Sequence, residues 1–189
     1  EAGILLYRFF WHEFCDWYLE IIKPDIKTPQ NQLVMYKVLE KFLRMIQPFM
    51  PFITQEIWSR LKTGEELIMQ QPWPHIQEQL IDKKIEQKMS LILEVITTVR
   101  NMRADLEILP TQMLDAVVAA AGKPKRELME QASGQIKYLC RLGSLTVQEK
   151  LEHRKSTVTS VVSDVHISLS LEGVVDVEKE KLKIGAKIT

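Results

Sequence analysis

The chain reads Phe9-Phe10-Trp11-His12-Glu13-Phe14-Cys15-Asp16-Trp17-Tyr18-Leu19-Glu20 near its start and Pro48-Phe49-Met50-Pro51-Phe52-Ile53-Thr54-Gln55-Glu56-Ile57-Trp58 shortly afterwards. An amphipathic helix needs only one apolar stripe, and the first stretch carries aromatic residues on two adjoining helical faces. What remains is a narrow polar seam of Arg8, His12, Asp16 and Glu20. The pattern therefore predicts a helix over residues 4–22 that is packed among partner helices.

Proline punctuates the residues that follow. Lys23-Pro24 ends the first helix, because the residue before proline is pushed away from the helical region. Thr28-Pro29 combines a hydroxyl cap with proline at the first helical position, which predicts a second helix to about residue 47. Pro51 opens a short third helix that ends near residue 64. A loop over residues 63–77 and a long helix over residues 78–106 complete the predicted helical part.

Short apolar runs replace the helical spacing after Pro110. Strands are predicted at residues 114–120, 145–148, 157–162 and 165–171, with one helix at 123–142 between the first two. The predicted fold class is α+β, mainly α: a helical bundle followed by a small β-α-β-β layer. The predicted domains are the bundle at 1–108, the α+β subdomain at 109–175 and the start of a helical tail at 176–189.

The composition excludes several classes of protein. The chain has 25 basic and 25 acidic residues, so its net charge favours neither DNA nor RNA binding, and any RNA contact needs a local patch. No apolar run approaches the roughly 20 residues of a membrane span. Two distant cysteines give no disulfide framework and indicate a reducing, cytoplasmic setting. Because the chain begins with Glu1, we expect a piece of a longer protein.

No motif indicates catalysis or metal binding. The seven glycines form neither of the usual phosphate-binding loops, and the four histidines include no HxxxH pair. An acid–base role for His12, Glu13 and Asp16 is less favoured than a polar seam with i,i+4 pairs. We therefore predict neither a catalytic residue nor a metal site.

A few side chains are candidates for RNA contact. Lys37, Lys41 and Arg44 form a basic stripe on the second helix that suits phosphates, unless it is only a solvated face or Glu40 occupies Arg44. Arg100 and Arg103 lie at the end of the long helix. They are candidates for phosphate contact or for buttressing the bundle against the α+β layer.

Aromatic side chains are candidates for stacking on RNA bases. Most tryptophans lie on apolar helix faces, where core packing is favoured. Trp73 is the exception, because it lies on a loop between two prolines.

These residues carry a family resemblance. The motif Phe10-Trp11-x-Glu13-Phe14-Cys15-Asp16-Trp17-Tyr18 with Lys23-Pro24 is similar to that of the class I aminoacyl-tRNA synthetases, most closely the valyl members. The segments Pro48-x-x-Pro51-Phe52-Ile53-Thr54, Met69-Gln70-Gln71-Pro72-Trp73-Pro74 and Val99-Arg100-Asn101-x-Arg103-Ala104-Asp105 resemble later family motifs in the same order. The resemblance covers nearly the whole chain.

The resemblance implies an anticodon-binding region whose partner is a valine-accepting tRNA. In that family a separate catalytic domain uses ATP and Mg²⁺ to join the amino acid to its tRNA. Its HIGH and KMSKS motifs are absent from this chain, so we expect no cofactor and no catalysis here. The parent protein is expected to be monomeric, cytoplasmic and without membrane or DNA contact.

The resemblance leaves two alternatives open. One is the same region of an isoleucyl or leucyl enzyme, and the other is a helical protein-interaction domain without an RNA role. In the family, further bundle helices precede this region and a coiled coil follows it. We therefore expect weak tRNA binding by this chain.

Overall fold

A computed structural model describes residues 1–61, 67–152 and 156–171. The chain forms two compact units, Glu1–Ile81 and Asp82–Thr189. Among the described residues, helices dominate the first unit, and the second contains helices and a four-stranded sheet, which confirms the predicted α+β, mainly α class. The last residues of the predicted α+β subdomain, 172–175, and the predicted tail at 176–189 lie outside the described residues. The predicted domain ranges remain a prediction.

The first helix of unit 1 is continuous over residues 2–22, but its central half is not α-helical. It consists of α1 (Ala2–Arg8), a π-helix (Phe9–Leu19) and α2 (Glu20–Ile22). A 3₁₀ turn at Lys23–Asp25 follows, where proline was expected to end the helix. The i→i+5 hydrogen bonds of a π-helix are rare, and eleven consecutive residues is long for this geometry. Sequence spacing did not reveal it, because residues four apart are also neighbours along an α-helix.

Helices α3 (Pro29–Ile46) and α4 (Pro51–Leu61) complete the bundle of unit 1. The Phe10 ring stacks on Phe42 of α3 with centroids 4.0 Å apart, and Phe14 continues the aromatic row. Leu43 and Trp58 pack against Ile68, which lies in a 3₁₀ turn at Ile68–Gln70. Apolar burial thus joins α3, α4 and the segment after α4 in one core.

Unit 2 begins with the long helix α5 (Lys83–Asp105), after a 3₁₀ turn at Glu78–Leu80. Asp82 caps α5 by accepting hydrogen bonds from the backbone N–H groups of Lys84 and Ile85. The predicted start at residue 78 is therefore five residues early. Helix α5 contacts the helix Ser133–Cys140 and the strands Thr157–Val162 and Val165–Ser170, so its apolar side belongs to the core of this unit.

The sheet contains β1 (Leu114–Ala120), β2 (Leu142–Gln148), β3 (Thr157–Val162) and β4 (Val165–Ser170) in the order β2-β1-β4-β3. The predicted helix between β1 and β2 is two helices, α6 (Lys123–Gln131) and α7 (Ser133–Cys140). This crossover makes β1 and β2 parallel, whereas β4 is antiparallel to both of its neighbours. Ser163 and Asp164 both have positive φ, as a tight two-residue hairpin turn requires.

Candidate nucleic-acid interface

The basic stripe lies on α3. Thr28 caps this helix by accepting a 3.4 Å hydrogen bond from the N–H of Asn31, as its sequence predicted. Lys37 is exposed, and within the described residues it has neither a hydrogen bond nor an ion pair. Lys41 instead donates from Nζ to Oε1 of Gln77 at 3.0 Å. The lysines of the stripe therefore differ in their contacts, because within the described part of unit 1 Lys41 is hydrogen-bonded and Lys37 is not.

Arg44 is the most constrained cation of the stripe. Its Nη2 lies 2.9 Å from Oε2 of Glu40, and both side chains are more than four-fifths buried. Its Nη1 donates to the carbonyl oxygen of Pro72, also at 2.9 Å. Its Nε is buried and has no hydrogen-bond partner among the residues that the structure describes. The guanidinium therefore faces the segment after α4, and the expected Glu40 contact is present.

That segment, residues 67–77, presents Trp73. Ile68 is 2% exposed, and its N–H donates to Oε1 of Gln55 at 2.9 Å. Trp73 is 60% exposed, whereas Trp58 is fully buried in the core. The structure therefore places the Trp73 side chain at the surface of unit 1, and its stacking on an RNA base stays a prediction.

Arg103 lies at the end of α5 and is buried. Its Nη2 donates to the carbonyl oxygens of Leu109 at 2.9 Å and Gln112 at 2.8 Å, and its Nη1 to that of Arg141 at 3.4 Å. Burial lowers the pKa of the guanidinium, and the neighbouring Arg141 adds to this, while Cys140 opposes it. Of the two roles left open for Arg103, these contacts support the buttress, here within unit 2.

Arg100 lies one turn before Arg103 and is exposed at the surface of α5. Its Nε donates to the carbonyl oxygen of Leu139 at 3.1 Å, which ties α5 to α7. One side of the guanidinium is thus used inside unit 2. Contact with a phosphate by Arg100 remains a prediction.

Neither cysteine has the environment of a nucleophile. Burial raises the pKa of the Cys140 thiol to about 12, despite the opposing charges of Arg100 and Arg103. Burial, and secondarily Asp16, also raises the pKa of Cys15. A thiol is nucleophilic only as its thiolate, so these environments disfavour the reactive form of both cysteines.

The polar seam of the first helix is solvated. Nδ1 of His12 lies 3.1 Å from Oδ2 of Asp16, and both side chains are more than half exposed. Such surface pairs contribute little to stability, and this one is not enclosed as catalytic pairs are. Among the described residues no three potential metal-ligating side chains converge, and no helix there is long and apolar enough to cross a membrane.

Sequence reasoning missed two surface features. Tyr7 and Trp11 are each more than half exposed and stack at 6.1 Å beside an apolar cavity of about 220 Å³ in unit 1. In unit 2, an open cavity of about 740 Å³ lies over the sheet and is bordered by Lys125, Glu149 and His166. The i,i+4 spacing of Tyr7 and Trp11 was visible in the sequence, but their exposure was not.

Comparison with known families identifies the one to which the first part of the chain is similar. Residues 1–118 match the model of the family described as "Anticodon-binding domain of tRNA ligase". The matched range contains the basic stripe, Trp73, Arg100 and Arg103.

Similar proteins extend the likeness to the rest of the chain. A valine–tRNA ligase of Syntrophotalea carbinolica is 35% identical over 197 residues, covering 100% of this chain and 22% of that protein. Valine–tRNA ligases of Thermosynechococcus vestitus and Carboxydothermus hydrogenoformans are 36% and 34% identical, covering 94% and 100% of this chain and 20% and 22% of their own length. The chain thus spans about a fifth of each relative.

Proposed function

Because the chain belongs to the anticodon-binding domain family of tRNA ligases, we propose that it recognises and positions the anticodon arm of a valine tRNA within a valine–tRNA ligase. The observation that carries this proposal is the whole-chain likeness to valine–tRNA ligases. Those relatives also favour the valyl member over an isoleucyl or leucyl one.

The basic stripe supports the electrostatic half of this function. Phosphate contacts fix the orientation of a nucleic acid, whereas contacts to unstacked bases supply specificity. Lys37 is exposed, and its ammonium is not used within the described chain. It is therefore the cation of the stripe best placed to neutralise a phosphate.

In the proposed parent protein, the aminoacylation reaction takes place outside this chain. In a ligase that consumes ATP, the nucleotide and Mg²⁺ would act in a catalytic domain outside this chain. A monomeric, cytoplasmic parent that binds tRNA and not DNA completes the proposal.

The salt dependence of binding tests the electrostatic part. The affinity for a valine tRNA transcript should fall linearly on a log–log plot between roughly 50 and 200 mM salt, as counterion release requires. Lys37→Ala should reduce that slope by about one, the effect expected for one lost phosphate contact.

The matched control is Lys137→Ala, which removes an exposed lysine from α7 in unit 2. It should leave both affinity and slope unchanged. Binding that is insensitive to salt, or equal slopes for wild type and Lys37→Ala, would contradict this assignment. If tRNA does not bind at all, the protein-interaction alternative gains support.

A further inference from the structure

Residues 67–77 are held at three points within unit 1. The first is Ile68, which is buried against Leu43 and Trp58 and donates its N–H to Gln55. The second is the Pro72 carbonyl oxygen, which accepts from Arg44. The third is Gln77, whose Oε1 accepts from Lys41. Anchors before, beside and after Trp73 leave its backbone little freedom.

The side chain between these anchors remains exposed. The Trp73 side chain is 60% exposed. Its two neighbours in the chain are prolines, which restrict the backbone on either side of it. Trp73 therefore offers a large flat ring on an anchored backbone. Because this segment is already ordered, binding a ligand there loses little further conformational entropy. Nucleobases bind such surfaces, because every base has a π-face.

The contacts also redefine the cations. Arg44 uses its planar fork on two partners at once, Glu40 and the Pro72 carbonyl, which a point charge does not match. The Nη1 and Nη2 groups of Arg44 therefore point at these partners rather than at a phosphate of a bound RNA. Lys41 likewise uses its ammonium on Gln77. Two members of the basic stripe fix the segment that carries Trp73.

We propose that Trp73 is a stacking platform for an unstacked RNA base, and that Arg44 and Lys41 are positioning residues that hold its segment on α3. This inference rests on the proposed function, because that function supplies RNA as the ligand. It assigns to Arg44 and Lys41 a role that differs from direct phosphate contact.

The test is a double-mutant cycle on the full chain, with a valine tRNA transcript as the probe. Trp73→Ala should lower the affinity roughly ten-fold, in the range measured for loss of one stacked base. Trp73→Phe keeps an aromatic face and should retain most of the binding. Because a stacking contact neutralises no phosphate, the salt slope should stay at the wild-type value in both variants.

Arg44→Lys separates the two roles of the cation, since it keeps the charge and loses the fork. Positioning predicts weaker binding, and on a Trp73→Ala background the same change should alter affinity by roughly two-fold or less. Direct phosphate contact predicts that Arg44→Lys binds like wild type, or that its effect adds fully to Trp73→Ala. Either of those results overturns the inference.

Gln77→Ala guards against misfolding, because it removes the Lys41 anchor without changing any charge. It should weaken binding with an unchanged salt slope, and circular dichroism should match wild type. Wild-type affinity in Gln77→Ala contradicts positioning by Lys41, as wild-type affinity in Arg44→Lys contradicts positioning by Arg44. If the wild-type chain binds tRNA and only these variants fail to respond, the inference alone is wrong. If the wild type does not bind tRNA, the proposed function fails and the inference fails with it.

Discussion

At the scale of single residues, the same side-chain type performs different tasks. Arg103 is buried and donates hydrogen bonds to the backbone carbonyl oxygens of Leu109, Gln112 and Arg141. Arg44 uses the guanidinium on a carboxylate and one carbonyl. Sequence spacing identified both as candidate RNA contacts. The carbonyl partner of Arg44 lies 28 residues away in the chain, so local pattern did not reveal the contact.

Replacing Arg103 with methionine should destabilise unit 2. The change keeps the apolar stem but removes the hydrogen bonds from the buried guanidinium to the carbonyl oxygens of Leu109, Gln112 and Arg141, which costs about 1–3 kcal/mol of unfolding free energy. Urea denaturation followed by circular dichroism measures the loss. Lys137→Met, on the exposed face of α7, should stay within about 0.5 kcal/mol of wild type. An Arg103→Met variant as stable as that control would show that the clamp is not structural.

At the scale of elements, sequence reasoning located most helices and strands but did not predict the helix type or the strand order. Spacing placed the strands Leu114–Ala120 and Thr157–Val162 at their observed bounds, because apolar runs between turn residues are local signals. It did not separate α6 from α7, although Gly134 lies two residues after the junction at Ala132, because the helical spacing of the apolar residues continues across it. The π geometry of Phe9–Leu19 was also missed. The order of strands in the sheet depends on tertiary pairing, which periodicity does not encode.

The start of α3 is an element whose cap can be tested. Thr28 accepts from the Asn31 N–H, and losing such a cap typically costs about 1 kcal/mol. Thr28→Ala should therefore lower the thermal midpoint of unit 1, while Thr28→Ser keeps the hydroxyl and should restore most of it. Equal midpoints for Thr28→Ala and wild type would mean that Pro29 alone defines the helix start.

At the scale of the whole molecule, the proposed RNA binding relies on a local surface of unit 1, not on the net charge of the chain. The chain carries equal numbers of acidic and basic residues, so its average field does not attract RNA. The proposed interface is instead local, with Lys37 as the phosphate contact and Trp73 as an anchored aromatic surface. The sequence predicted these candidates, whereas the contacts that distinguish Arg44 from the exposed Lys37 became visible only in the structure.

The most direct test of the central claim is a binding titration of the chain against a valine tRNA and a variant with a mismatched anticodon, at low and physiological salt. Anticodon recognition predicts tighter binding to the matched tRNA, with a preference that persists as salt rises because base contacts are less screened than phosphate contacts. Equal affinity for the two transcripts at every salt concentration would contradict recognition of the anticodon by this chain.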